Sequence, residues 1–135
     1  MATFNKYNSG AEALVEGINA QTDTWRIILS NTAPDVTDVS QAAAAELTTA
    51  GGYTVNGNTC AVISSTQSGG VYTLVLDDPA AWIGSGAGFT ARYAILWDQT
   101  ADRLIAWWDY GSSVLVASGE SFTVTLPPAG VFTVT

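Results

Sequence analysis

Residues 103–135 read RLIAWWDYGSSVLVASGESFTVTLPPAGVFTVT, and the alternation within them decides the fold. Phe122, Val124 and Leu126 fall on one face of an extended chain, and Ser121, Thr123 and Thr125 fall on the other. A period of two marks a half-buried antiparallel strand. Ser118-Gly119 and the Pro127-Pro128-Ala-Gly turn divide the stretch, leaving a last strand at 131–134. No catalytic constellation stands out here or elsewhere in the chain. The residues alone define an acidic, mostly β domain without naming its task.

Upstream, residues 89–97 form the cleanest strand of all. Phe89, Ala91, Tyr93, Ile95 and Trp97 share one face, with Ala94 and Leu96 opposite, as in a central strand covered on both sides. The DQTAD loop at 98–102 turns the chain, and Arg103 to Tyr110 pairs back. There Trp107 and Trp108 are adjacent, so one points to each face. Trp108 goes with Leu104, Ala106 and Tyr110 on a core-like face. Trp107 goes with Arg103, Ile105 and Asp109 on the outer face, exposed unless the 9–19 helix or a loop lies over it. An exposed tryptophan on a sheet is an anchor for a protein partner or a sugar ring.

Residues 1–22 hold the one good helix candidate, with Asn8 or Ser9 as N-cap and Ala11, Leu14, Val15 and Ile18 along one face. Thr24 to Asn31 reads as a strand with Trp25, Ile27 and Leu29 inward, broken by Pro34. Residues 36–52 read as a long surface loop, with propensity for one helical turn in AAAAELTTA, and so as a contact arm. Asn56-Gly57 signals a tight hairpin between a run at Tyr53–Val55 and a return at Thr59–Ser65. Gly69-Gly70 makes the next turn, and Val71 to Asp77 places Tyr72, Leu74 and Leu76 together. Trp82-Ile83 precedes GSGAG at 84–88, which lacks the Lys-Ser/Thr of a phosphate loop and reads as a flexible connection.

Eight to ten short strands at regular spacing predict an all-β fold, an antiparallel β-sandwich or jelly-roll-like body with one short N-terminal α-helix. The expected organisation is one domain overall, with an N-terminal segment at 1–22 and a β body at 23–135. Composition agrees: 135 residues, 47% hydrophobic and 12% charged, suffice for a core without staples. Four Lys+Arg against twelve Asp+Glu, a formal charge of −8, argue against nucleic acid and anionic lipid as partners. With no histidine and one cysteine, Cys60, there is no internal disulfide, no cysteine-based zinc cluster and no His general base. Cys60 reads as a buried small hydrophobe. Asp77, Asp78, Asp98 and Asp102 lie at strand ends and match no defined calcium loop, so they read as solvated turn carboxylates. No signal-like or membrane-spanning run is present, which points to a protein made and kept in the cytoplasm or assembled into something there.

The opening MATFNKYNS, the pair WRIILSNTAP, the turn GGYTVNGNT, and above all ARYAILWD with LIAWWDYGSSVLVASGESFTV resemble small virion structural proteins of tailed bacteriophages and prophages. The likeness runs over nearly the whole chain and is strongest over 89–126, while AAAAELTTA at 42–50 departs from it. It implies a non-enzymatic capsid decoration (cement) protein without catalytic residues, metal or cofactor, located on the virion after assembly in the host cytoplasm. Its implied partner is the major capsid protein of the same virion, and a homo-oligomer, dimer or trimer, follows local symmetry axes. The interface candidates are Phe4, Tyr7, Val36, Val39 and Trp107. A tail or baseplate component is the alternative within that class. A carbohydrate-binding β-sandwich, motivated by five tryptophans, is the alternative outside it. An Asp-dependent hydrolase is the weakest reading.

Overall fold

A computed structural model describes residues 2–135. Its elements in chain order are β1 (Thr3–Lys6), α1 (Asn8–Glu16), β2 (Trp25–Ser30), β3 (Asn58–Cys60), β4 (Val62–Ser68) and β5 (Val71–Leu76). They continue with β6 (Trp82–Ile83), β7 (Phe89–Asp98), β8 (Arg103–Val116), β9 (Ser121–Phe122) and β10 (Phe132–Val134). The fold is all-β with a single short helix, as the alternation predicts. A five-stranded sheet in the order β1-β8-β7-β2-β3 faces a three-stranded sheet, β10-β5-β4, and β6 pairs with β9 in a small ribbon.

The main core lies between the sheets. Trp25, Ile27 and Leu29 enter it from β2, Leu74 and Leu76 from β5, and Phe122, Val124 and Leu126 from the C-terminal stretch. Each of those groups is spaced by two in the sequence, which is why the expectation of inward faces holds at all three. Beyond Phe122 the chain runs without ladder partners to Val131, Val124 and Leu126 being held by packing and the Leu126 N–H by Asp78 Oδ1.

Two irregularities change faces where simple alternation predicts continuity. In the β7–β8 pair, Leu96 faces Ala106 but Trp97 faces Leu104, so Ile105 is an extra, bulged residue. Leu104 therefore belongs with Trp107 on the outer face, and Ile105 joins Ala106 and Trp108 on the main core. Further along, Ala91 faces Val114 while Tyr93 faces Asp109, leaving Arg92 opposite residues 110–113. Phe89 and Ala91 consequently point to the main core, whereas Tyr93, Ile95 and Trp97 point away from it. The Arg92 guanidinium holds both Asp109 oxygens at 2.8 and 3.2 Å across this bulge.

The N-terminal segment is more tightly built in than its expected status implies. Residues 3–6 form a strand, unassigned from the sequence, that pairs antiparallel with residues 106–109 of β8. Past it, the Tyr7 N–H donates to the Ile105 carbonyl, and the Leu104 N–H donates to the Val39 carbonyl, so this edge of β8 stays paired. Helix α1 then lies against β8. A Cβ on Gly10 would stand 2.8 Å from the Ile105 carbonyl oxygen, so only glycine permits this approach. Tyr7 takes the N-cap position without a side-chain cap, in place of Asn8 or Ser9. Gly10 and Ala13 are the buried helix positions, while Ala11 and Val15, expected inward, face solvent.

The Thr54–Gly57 turn forms, with positive φ at Asn56 and Gly57, yet it does not close a hairpin. Its outgoing strand β3 pairs with β2 instead, and the expected Thr59–Ser65 strand divides at Ala61, β4 joining the other sheet. One run of sequence thus serves two sheets, which periodicity cannot display. The β4–β5 hairpin over Gly69-Gly70 forms as expected. Residues 84–88, expected as a flexible connection, are instead tied by backbone bonds from Gly84 N–H to Glu120, Ser85 N–H to Gly51, and Gly119 N–H to the Gly84 carbonyl.

Cys60 is buried on β3, as its apolar neighbours imply. Burial, then the charges of Asp78 and Asp77, push its thiol up to about 12. A thiol so buried and so seldom ionised reacts only when the fold opens. Maleimide labelling of native protein at neutral pH is therefore expected to proceed no faster than global unfolding. Labelling within seconds in the absence of denaturant would contradict the placement of β3.

Candidate interface around the N-terminal helix

Of the five interface candidates, the structure separates two from three. Trp107, expected on the outer face, is only 7% exposed, and Tyr7 is fully buried against it. The physical reason is a second small core on the outward side of the five-stranded sheet: Ile28, Tyr93, Ile95, Trp97, Leu104 and Trp107, roofed by Tyr7. The two rings meet edge to face with centroids 4.7 Å apart, a favourable quadrupole geometry. Tyr7 and Trp107 are core residues and leave the list of surface anchors.

The other part of the roof is the 36–46 segment, the first part of the 36–52 loop that sequence offered as a contact arm. It carries one 3-10 turn, Gln41–Ala43, and Ala44 packs on the second core. Its anchoring is polar. The Gln41 N–H and the Trp97 indole N–H both donate to Asp102 Oδ1, at 3.1 and 3.0 Å. Glu46 accepts from the Tyr53 hydroxyl, the Asn56 N–H and the Gln41 side-chain amide at 2.7, 2.6 and 2.7 Å. The Ser30 hydroxyl, itself buried, donates to the Ala45 carbonyl at 2.7 Å. Much of this loop's bonding therefore faces the body of the protein.

Phe4, Val36 and Val39 remain at the surface, exposed by 47%, 43% and 40%. All three flank α1. Phe4 lines a groove of about 360 Å³ with Lys6, Gly10, Ala11, Leu14 and Phe132 among its walls. That groove shares Leu14 and Phe132 with a second of about 530 Å³ reaching Tyr72 and Val134, so a furrow runs between α1 and edge strand β10. On the helix's other flank, Val39 lines a shallow groove with Ser9, Glu12, Glu16 and Arg103. The Val36 carbonyl accepts the first helical N–H, that of Asn8, at 2.9 Å. Val15, at 83%, is the most exposed large apolar residue among the described residues and sits on the helix itself. Sequence reasoning missed it because it assigned that position inward. The free edge of β1 runs beside the same surface.

Chemistry of other kinds finds little to work with. Among the described residues, no three of Cys, Asp and Glu gather as a metal group would require. Two of the strand-end aspartates are occupied separately: Asp78 accepts the Leu126 N–H, and Asp102 holds the indole and loop amide already named, while Asp98, expected as a solvated turn carboxylate, is fully buried at the end of β7. None of the five tryptophans is more than 7% exposed, so no indole platform for a sugar ring is present. No helix among the described residues is long and apolar enough to cross a membrane. No family model, curated protein or solved structure matches the chain.

Proposed function

We propose that the chain is a bacteriophage virion structural protein, a capsid decoration (cement) protein that docks on the head shell through the face around α1. The observation that carries this reading is the gathering of exposed Phe4, Val15, Val36 and Val39 on and beside one helix of a chain with a net charge of −8. Exposed apolar side chains grouped on one face have little to gain from water and much from a partner. The sequence resemblance, strongest over 89–126, supplies the class of partner: the major capsid protein. Cementing of this kind works by mass action, because a protein that binds only the assembled shell stabilises that state. Many copies on a symmetric lattice then turn a modest contact into firm retention.

The expected result is that purified protein binds emptied, expanded heads of its virion at stoichiometric copy number and raises the temperature at which they rupture. A double variant, Phe4→Ser with Val39→Ser, is expected to keep its own melting temperature within a few degrees and to lose head binding at least tenfold, about 1.4 kcal/mol. Wild-type protein that sediments away from heads would overturn the proposal. Recovery with purified tails in its place would transfer the chain to the tail or baseplate.

A further inference from the structure

We propose that Asp23 and Asp98 share a single proton, forming an acid–carboxylate clasp that fastens the 19–24 turn onto the β7–β8 hairpin. Asp98, the last residue of β7, is the one carboxylate among the described residues with no solvent exposure. Its Oδ1 accepts the Ala101 N–H at 3.0 Å, while its buried Oδ2 has no donor. The side chain that adjoins it is another carboxyl group, that of Asp23, which accepts the Asn19 N–H at 2.9 Å. Two ionised carboxylates side by side repel, the more so with one fully buried, and an acceptor facing an acceptor leaves the buried Oδ2 of Asp98 unsatisfied. One proton resolves both problems, because a protonated carboxyl becomes the missing donor.

The joint is already defined by the backbone. The Thr24 N–H donates to Thr100 Oγ1 and the Gln99 N–H to the Thr24 carbonyl, each at 2.9 Å, so the carboxyl pair closes a seam that is zipped beside it. Among the described residues no cation takes the proton's place. From β2, the Arg26 guanidinium is committed to the Gln99 side chain and to the Asn56 and Gly57 carbonyls. From β8, Arg103 lies opposite Asp98 in register but donates to the Asp102 carbonyl. Asp102 faces the Trp97 indole and Gln41.

Burial above all, with the hydrogen bond and charge of Asp23 adding to it, raises Asp98 to about 7 despite the N–H groups of Ala101 and Thr100. An unfolded aspartate titrates near about 4. Between those values the folded chain holds a proton that the unfolded chain has lost. The clasp's contribution is therefore complete below about pH 4 and is lost as pH rises through about 7.

Thermal melts of the full chain and of Asp98→Asn from about pH 5 to about pH 9 test this. The side-chain amide introduced by Asp98→Asn donates to Asp23 at every pH. The variant's melting temperature is therefore expected to exceed the parent's at the alkaline end, with the gap closing toward pH 5. Infrared spectra of the parent are expected to show a carboxylic C=O band that titrates near neutrality and is missing from the variant. Should Asp98→Asn fail to fold, Asp23→Asn, which supplies the same donor from the other side, is read in the same way. Parallel pH profiles with no such band would overturn the shared proton. So would a melt at alkaline pH raised by millimolar calcium in the parent alone, which would put a metal ion between the two groups.

Discussion

Trp107→Ala is expected to destabilise the fold by about 3–5 kcal/mol, the usual cost of deleting a buried large aromatic. That is a large share of the roughly 5–15 kcal/mol that holds a domain of this kind together. The indole packs in the second core with Ile28, Ile95 and Leu104, and Tyr7 lies edge-on to it. Its loss leaves a cavity that neither the β7–β8 ladder nor the bonded 36–46 loop can collapse into. Urea denaturation of parent and variant measures the difference. Phe4→Ala, truncating a ring that is half exposed, is expected to cost less than about 1.5 kcal/mol in the same assay. The opposite order, with Trp107→Ala near neutral, would restore that residue to the surface and remove the second core from the account.

Gly57→Ala is expected to be as damaging by another route, at about 3 kcal/mol or more, beyond the ordinary range for a single methyl. At φ +60° a Cβ on residue 57 would stand 1.8 Å from the Ile27 carbonyl oxygen, inside the backbone of β2. The chain can relieve this only by moving the Thr54–Gly57 turn away from β2, and with it β3 and the two carbonyls that hold Arg26. Gly69→Ala is the control. Its φ is nearly the same at +58°, but nothing lies within 4 Å, so only the left-handed strain of about 1–2 kcal/mol applies. Equal costs at the two positions would show that the turn does not press on β2.

These two positions also mark where sequence reasoning succeeds and where it stops. The Asn56-Gly57 turn and the strands from Trp25, Val71 and Phe89 are legible, because positive-φ residues and period-two alternation are local properties. The partner of the strand after Gly57 is not legible, since pairing with β2 rather than with Tyr53–Val55 is decided by packing across the sheet. Trp107 shows the same limit more sharply. Adjacent tryptophans must point to opposite faces, and they do; which face is covered depends on Tyr7, far away in the chain, and on a loop without apolar periodicity. Bulges at Ile105 and opposite Arg92 shift the faces on either side of them, so Leu104 falls on the side opposite to that expected, and the single face expected for Phe89 to Trp97 divides after Ala91. At the candidate interface, Phe4, Val36 and Val39 are surface apolar residues as expected, while Val15 leaves the buried stripe to Ala13.

The proposed shell-binding face differs from the exposed tryptophan expected from sequence. The exposed aromatic ring is that of Phe4 beside α1, and the indoles serve the two cores. An image of the intact virion at a resolution that places helices tests this most directly. Copies of this chain are expected on the head exterior, in numbers set by the lattice, with α1 and the Phe4 groove turned toward the capsid protein. Copies confined to the tail, or seated on the shell through the opposite edge at β3 and β4 with α1 facing solvent, would contradict it.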